Sequence, residues 1–221
     1  EVEWPGRLLS LLATLLAAVA LQRLLEARCG PAGAIAGVAT FLVSGSTFLC
    51  ATRVMPDAFS TALGTCALVA FVGYLANGSS RTLWLAAAAL AFAGLQKPLA
   101  LQLGLVMFGW TCVEAPRRLR EPRLWAAFAV VLAVVASWLL HGRALHEETG
   151  LTFGVLAAGD SKFPTLDNLL SPHVHARLAV TTLVYGATPL GAAAVVALLS
   201  LRRLRATDVV LLLAVAIGLL V

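Results

Sequence analysis

The chain has 221 residues, 60% hydrophobic and only 12% charged, with a formal net charge of +5. Soluble domains carry roughly 25% charged residues, so a mean hydropathy of +0.92 argues against a water-soluble fold. The basic residues sit in short gaps between apolar blocks, which makes nucleic-acid binding a poor reading of the positive charge.

Eight apolar blocks follow one another, near residues 8–25, 33–51, 58–75, 82–95, 99–113, 124–140, 178–200 and 207–221. A helix needs roughly 20 such residues to cross a bilayer core. The predicted fold is therefore all-α, a polytopic bundle of about eight spans forming one transmembrane domain over residues 1–221. Only Gln96, Lys97 and Pro98 divide the fourth and fifth blocks, so these two are compatible with one broken helix. The first residue is not Met and the last block reaches the chain end without a flanking charge, so a fragment of a longer protein is expected. The N-terminus lacks the basic start and cleavage site of a signal peptide.

Charge alternates from gap to gap. Ten arginines, Arg23, Arg28, Arg81, Arg117, Arg118, Arg120, Arg123, Arg202, Arg203 and Arg205, fall with Glu26, Glu114, Glu121 and Asp208 in one set of gaps, net +6. The other set, with Arg7, Arg53, Lys97, Arg143, Lys162, Arg177 and seven acids, is net −1. The positive-inside rule makes the first set cytoplasmic. The start of the chain, the Arg53/Asp57 corner, Lys97 and a long segment over 141–177 are then extracytoplasmic. The predicted location is the cell (inner or plasma) membrane, multi-pass. The Asn77-Gly78-Ser79 sequon falls on the inner side and carries little weight. Cys29, Cys50, Cys66 and Cys112 lack metal-ligand spacing and read as buried thiols. No internal repeat is visible, which lowers a transporter reading.

Ionisable groups at the outer ends of spans are the candidates, because a charge deep in a bilayer costs about 2.5–3.5 kcal/mol on insertion scales. In ATRVMPDAFSTAL, Pro56 stops any helix arriving from before it and starts a new one. Asp57 then either offsets the new helix's unsatisfied N–H groups or faces an outer cavity with Arg53 near it. Lys97 is either a snorkelling lysine or a point charge for a lipid-linked phosphate. Asp160, Ser161 and Lys162 in GDSKFP form a plain turn or a substrate loop with a cation. His141, His146, His173 and His175 have no strong metal spacing and fit an interface better. Tyr185 to Pro189 kinks the seventh span or shapes a pocket. No catalytic triad, phosphate loop or dinucleotide fingerprint is present.

Taken in order, these motifs resemble bacterial GT-C glycosyltransferases, relatives of the protein mannosyltransferases and the lipid A aminoarabinose transferase. EVEWPGRLLSLLATLLAAVAL is similar to the start of that family's second span, RVMPDAFSTALGTCALVAF to the start of its fourth. LQKPLAL sits where members carry a Lys-Gly or Lys-Pro pair, and GATPLG looks like the late proline at a span start. The resemblance implies transfer of a sugar from a polyprenyl-phosphate donor to a lipid, glycan or protein acceptor on the extracytoplasmic face of the bilayer. It assigns Asp57 and Arg53 to the catalytic site and Lys97 to the carrier phosphate; Lys162, which lies outside these motifs, is a further candidate cation for that phosphate. Glu3 and Arg7 match the second-span start, where a structural role suffices. The family's main acid, the general base, would lie before Glu1. No metal ligand is assigned, although a divalent metal in the full-length enzyme stays open, and no long-loop histidine is singled out. The alternative is a transporter or flippase of a lipid-linked saccharide.

Overall fold

The computed structural model describes residues 3–150 and 171–181. Among these the chain forms helices and turns without a strand, an all-α membrane bundle as expected. Glu3–Val43, Pro56–Asn77 and Pro122–Thr149 are long and apolar enough to cross a membrane. The seventh and eighth apolar blocks lie outside the described residues, except for 178–181.

Helix α1 (Glu3–Val43) is bent back on itself at Gly30, which has φ 74° and ψ 177°. Pro31 lacks an N–H and its ring would strike the carbonyl four residues back, so a straight helix cannot pass. Glycine takes the positive φ without a Cβ penalty. Beyond the break the chain returns along its own first half: a Cβ on Gly37 would lie 2.4 Å from Leu25 Cδ1. A straight helix would hold those residues ~18 Å apart. The return continues through α2 (Gly45–Thr52), capped by the Ser44 hydroxyl, which accepts the Thr47 N–H at 3.2 Å.

Then come α3 (Pro56–Asn77), α4 (Ser80–Gln96), a 3₁₀ turn (Pro98–Leu101), α5 (Gln102–Glu114), a second 3₁₀ turn (Pro116–Arg120) and α6 (Pro122–Thr149). A separate helix, α7, covers Pro172–Thr181. The fourth and fifth apolar blocks are thus two helices, with Lys97 at the turn between them. α5 runs back to the end where α4 began, since Arg123, just after it, donates to Ser80 Oγ at 2.6 Å. Residues 3–149 therefore pass back and forth between the same two ends. α6 continues beyond residue 140 to Thr149, supported by the Arg143–Glu147 pair at 3.0 Å and stopped by Gly150 at φ 69°. The beginning of the expected 141–177 segment is helical.

The passes pack through Phe71, Leu83, Leu90, Met107, Trp110, Leu124 and Val131, all buried. Glycines let the backbones close: a Cβ on Gly94 would sit 2.8 Å from Val135 Cγ2. With no water between the helices to expel, such close packing and polar locks at the ends supply the cohesion.

One end is the arginine-rich one. Arg28 grips Glu114 with both terminal nitrogens, at 2.6 and 3.0 Å, and lies 5.3 Å from the Trp110 ring centre. Glu121, at the start of α6, accepts from Tyr74 (2.7 Å), Arg118 (2.8 Å) and Arg123 (2.8 Å). That carboxylate joins α3 to α6, and through Arg123 to α4. Gly78 ends α3 at φ 67°, and a Cβ there would also meet Arg118 Nη1 at 2.6 Å.

Arg123 foremost, then Tyr74 and Arg118, hold the Glu121 carboxyl down from the ordinary 4.5 to about 2. A group whose folded pKa is depressed contributes stability above its unfolded value and loses it as pH falls to the folded one. Thermal melts in detergent should therefore show wild type more stable than Glu121→Gln at neutral pH, with the gap closing between about pH 4.5 and pH 2. A pH-independent gap would mean that the carboxylate charge is not what the network uses.

Candidate functional site

The opposite end holds the residues singled out in the sequence. α3 begins where Met55 is extended and Pro56 occupies the first helical position, for which its fixed φ is pre-organised. Asp57 thus falls in the first turn, where free N–H groups and the helix dipole favour an anion. α4 ends at Gln96: Lys97 is extended, its N–H still reaches Ala93 O at 2.9 Å, and Pro98 blocks a further turn. Ser60 Oγ donates to Ala93 O at 3.3 Å and ties the two helices together nearby.

With both backbones fixed, Lys97 Nζ donates to Asp57 Oδ1 in an ion pair. The side chains remain 44% and 32% exposed, open enough for a ligand to reach either. An ammonium has three N–H donors; one meets Asp57, which leaves others for a second anion.

Arg53 goes elsewhere. It closes α2 in an extended conformation, exposed, and borders a cavity of about 590 Å³ with Glu3, Gly6, Arg7 and Val54. Gly6 permits this approach, since a Cβ there would stand 2.7 Å from Val54 Cγ2. Glu3 and Arg7 pair at 2.7 Å on the same face. Sequence proximity pointed to Arg53 as the neighbour of Asp57; the ion-pair partner of Asp57 is Lys97, from the next helix. The signal for that pairing was the topology: the start of one helix and the end of its antiparallel neighbour lie at the same level. The lining role of Glu3 and Arg7 had no comparable signal, because it depends on the α1 hairpin bringing Gly6 against Val54.

Lys162 lies outside the described residues, as do Asp160, Ser161 and residues 185–189. His173 is exposed on α7, which also contains His175, and the His141 ring lies 5.9 Å from that of Trp138. Among the described residues no three His, Cys, Asp or Glu side chains come together.

This end gathers cations: Lys97 held by Asp57, and Arg53 and Arg7 beside an open cavity. No curated protein and no solved structure matches the chain. A family model described as dolichyl-phosphate-mannose-protein mannosyltransferase matches residues 1–141, a stretch that contains Arg53, Asp57 and Lys97. With well over half of its length matched, the chain belongs to the dolichyl-phosphate-mannose-protein mannosyltransferase family, membrane glycosyltransferases of the GT-C superfamily.

Proposed function

We propose that the chain carries the membrane part of a transferase that moves a sugar from a polyprenyl-phosphate carrier to an acceptor on the extracytoplasmic face. The observation that supports this most is the part-exposed Asp57–Lys97 pair, at the end away from the arginine cluster. In the reaction the acceptor oxygen attacks the anomeric carbon and the bond from that carbon to the phosphate oxygen breaks. The acceptor proton passes to a base, and the carrier leaves as a phosphate with one more negative charge. Cations aimed at that charge lower the barrier, and more so in a partly dry site.

Lys97 meets the carrier phosphate, with Asp57 fixing the direction of its ammonium. Arg53 adds a second cation from the cavity side, and Lys162 a third from the segment after α6. By the charge alternation, the sequence over 141–177 belongs to the same side of the bilayer. The base comes from an acid outside the described residues, in keeping with the family resemblance. A lipid-linked saccharide flippase would use the same cations for the same phosphate. It would have to alternate its access, so the reactivity of Cys29 at the opposite end would change with substrate; a transferase leaves it fixed.

Two measurements test the proposal. In the full-length protein with its native cysteines replaced, Val54→Cys should react with an impermeant thiol reagent from outside, and Arg117→Cys only after permeabilisation. The reverse pattern would put the site on the wrong face. Asp57→Asn and Lys97→Ala should each reduce transfer by roughly 10²–10³-fold while membrane insertion is retained. Near-normal turnover would return Asp57 to a capping role and Lys97 to an interfacial one.

A further inference from the structure

A groove runs between α5 and α6 that the transfer site does not use. Its volume is about 350 Å³, and Leu101, Gly104, Phe108, Trp125, Phe128 and Leu132 are among its walls, with no charged side chain. From Leu101 to Phe108 it follows ~10 Å of chain. Gly104 helps to keep it open, because a Cβ there would have only Leu90 Cδ2, at 3.7 Å, as a near neighbour. Towards the arginine-rich end it finishes at Phe108 and Trp125, whose ring centres are 6.1 Å apart.

That mouth is built differently from the rest of the apolar surface. Trp125 Nε1 donates to Leu119 O at 2.8 Å, which fastens the Pro116–Arg120 turn beside it. Arg117 and Arg120 on this turn are exposed, and no carboxylate pairs with them among the described residues. Glu114 is taken by Arg28, and Glu121 by Arg118 and Arg123. Among the described residues, Glu26, on α1, is the other acid at this end. An indole at the rim, two uncompensated guanidinium groups and a dry channel leading away from them match a lipid with an anionic head.

We propose that the groove and the turn beside it bind an anionic phospholipid of the bilayer. One acyl chain lies along Gly104 and Phe128, and the phosphate meets Arg117 and Arg120. The opposite mouth, near Leu101, is the less favourable place for a headgroup, because the charge of Lys97 is already matched by Asp57. The occupant is therefore an ordinary membrane lipid entering from the arginine-rich side, distinct from the sugar carrier.

The test uses the full-length protein in phosphatidylcholine vesicles containing a little phosphatidylglycerol with a photoactivatable acyl chain. Peptides around Phe108 and Leu132 should be labelled, and unlabelled phosphatidylglycerol, but not more phosphatidylcholine, should compete. The double variant Arg117→Gln/Arg120→Gln should lower labelling roughly tenfold, and Ala129→Phe, which fills the groove, should abolish it. Labelling around the exposed Leu15 on α1 should stay constant in both variants, showing that each is folded in the membrane. Competition by phosphatidylcholine, or indifference to the arginines, would reduce the groove to general lipid contact and overturn the proposal. Competition by polyprenyl phosphate with loss in Lys97→Ala would hand the groove to the carrier. No labelling there, with Leu15 still labelled, would mean that another segment of the chain covers it.

Discussion

Each pass of this chain runs through a medium in which an unpaired charge is costly, and that constraint sorts its ionisable side chains to the two ends of the bundle. Between the ends the helices are held by small residues and close approach, as where Gly94 faces Val135. At the ends they are held by polar locks: Glu121 with Tyr74, Arg118 and Arg123 at one, Asp57 with Lys97 at the other. The two locks differ in kind. Glu121 accepts from three side chains and serves to join helices. The Asp57–Lys97 pair is a single contact between part-exposed side chains, with donors of the ammonium left over.

The same constraint made much of the fold legible in the sequence. Apolar block length gave the helices, and the alternation of arginines gave the two ends before any contact was known. Arg28, Arg118 and Arg123 lie together with their acid partners as that alternation implies. Proline marked the start of α3 correctly at Pro56, because a missing N–H does no harm in the first turn. The Gly30-Pro31 step separates the first two blocks for the same local reason.

Side-chain partners were less legible. Arg53 is four residues from Asp57, yet the break between α2 and α3 turns it towards Glu3 and Arg7. The true partner of Asp57, Lys97, comes from the end of the next helix, and only a decision on whether the fourth and fifth blocks form one helix or two could have placed it there. Composition does not make that decision. The turn at Pro98 does, by bringing α5 back to the level of Ser80. The extension of α6 to Thr149 was hidden similarly, since a polar, charged sequence still forms a helix when an i,i+4 pair and a glycine stop support it.

In the proposed reaction the Asp57–Lys97 pair does more than fasten α3 to α4. That role is tested most directly by exchanging the two residues in the full-length protein, Asp57→Lys with Lys97→Asp, and measuring thermal stability and sugar transfer on the same preparation. The exchange should recover most of the stability lost in either single variant, because the attraction is restored, while transfer stays abolished, because the cation and anion have changed places relative to the carrier phosphate. Recovery of both stability and transfer would contradict that role and leave the pair as a structural strut.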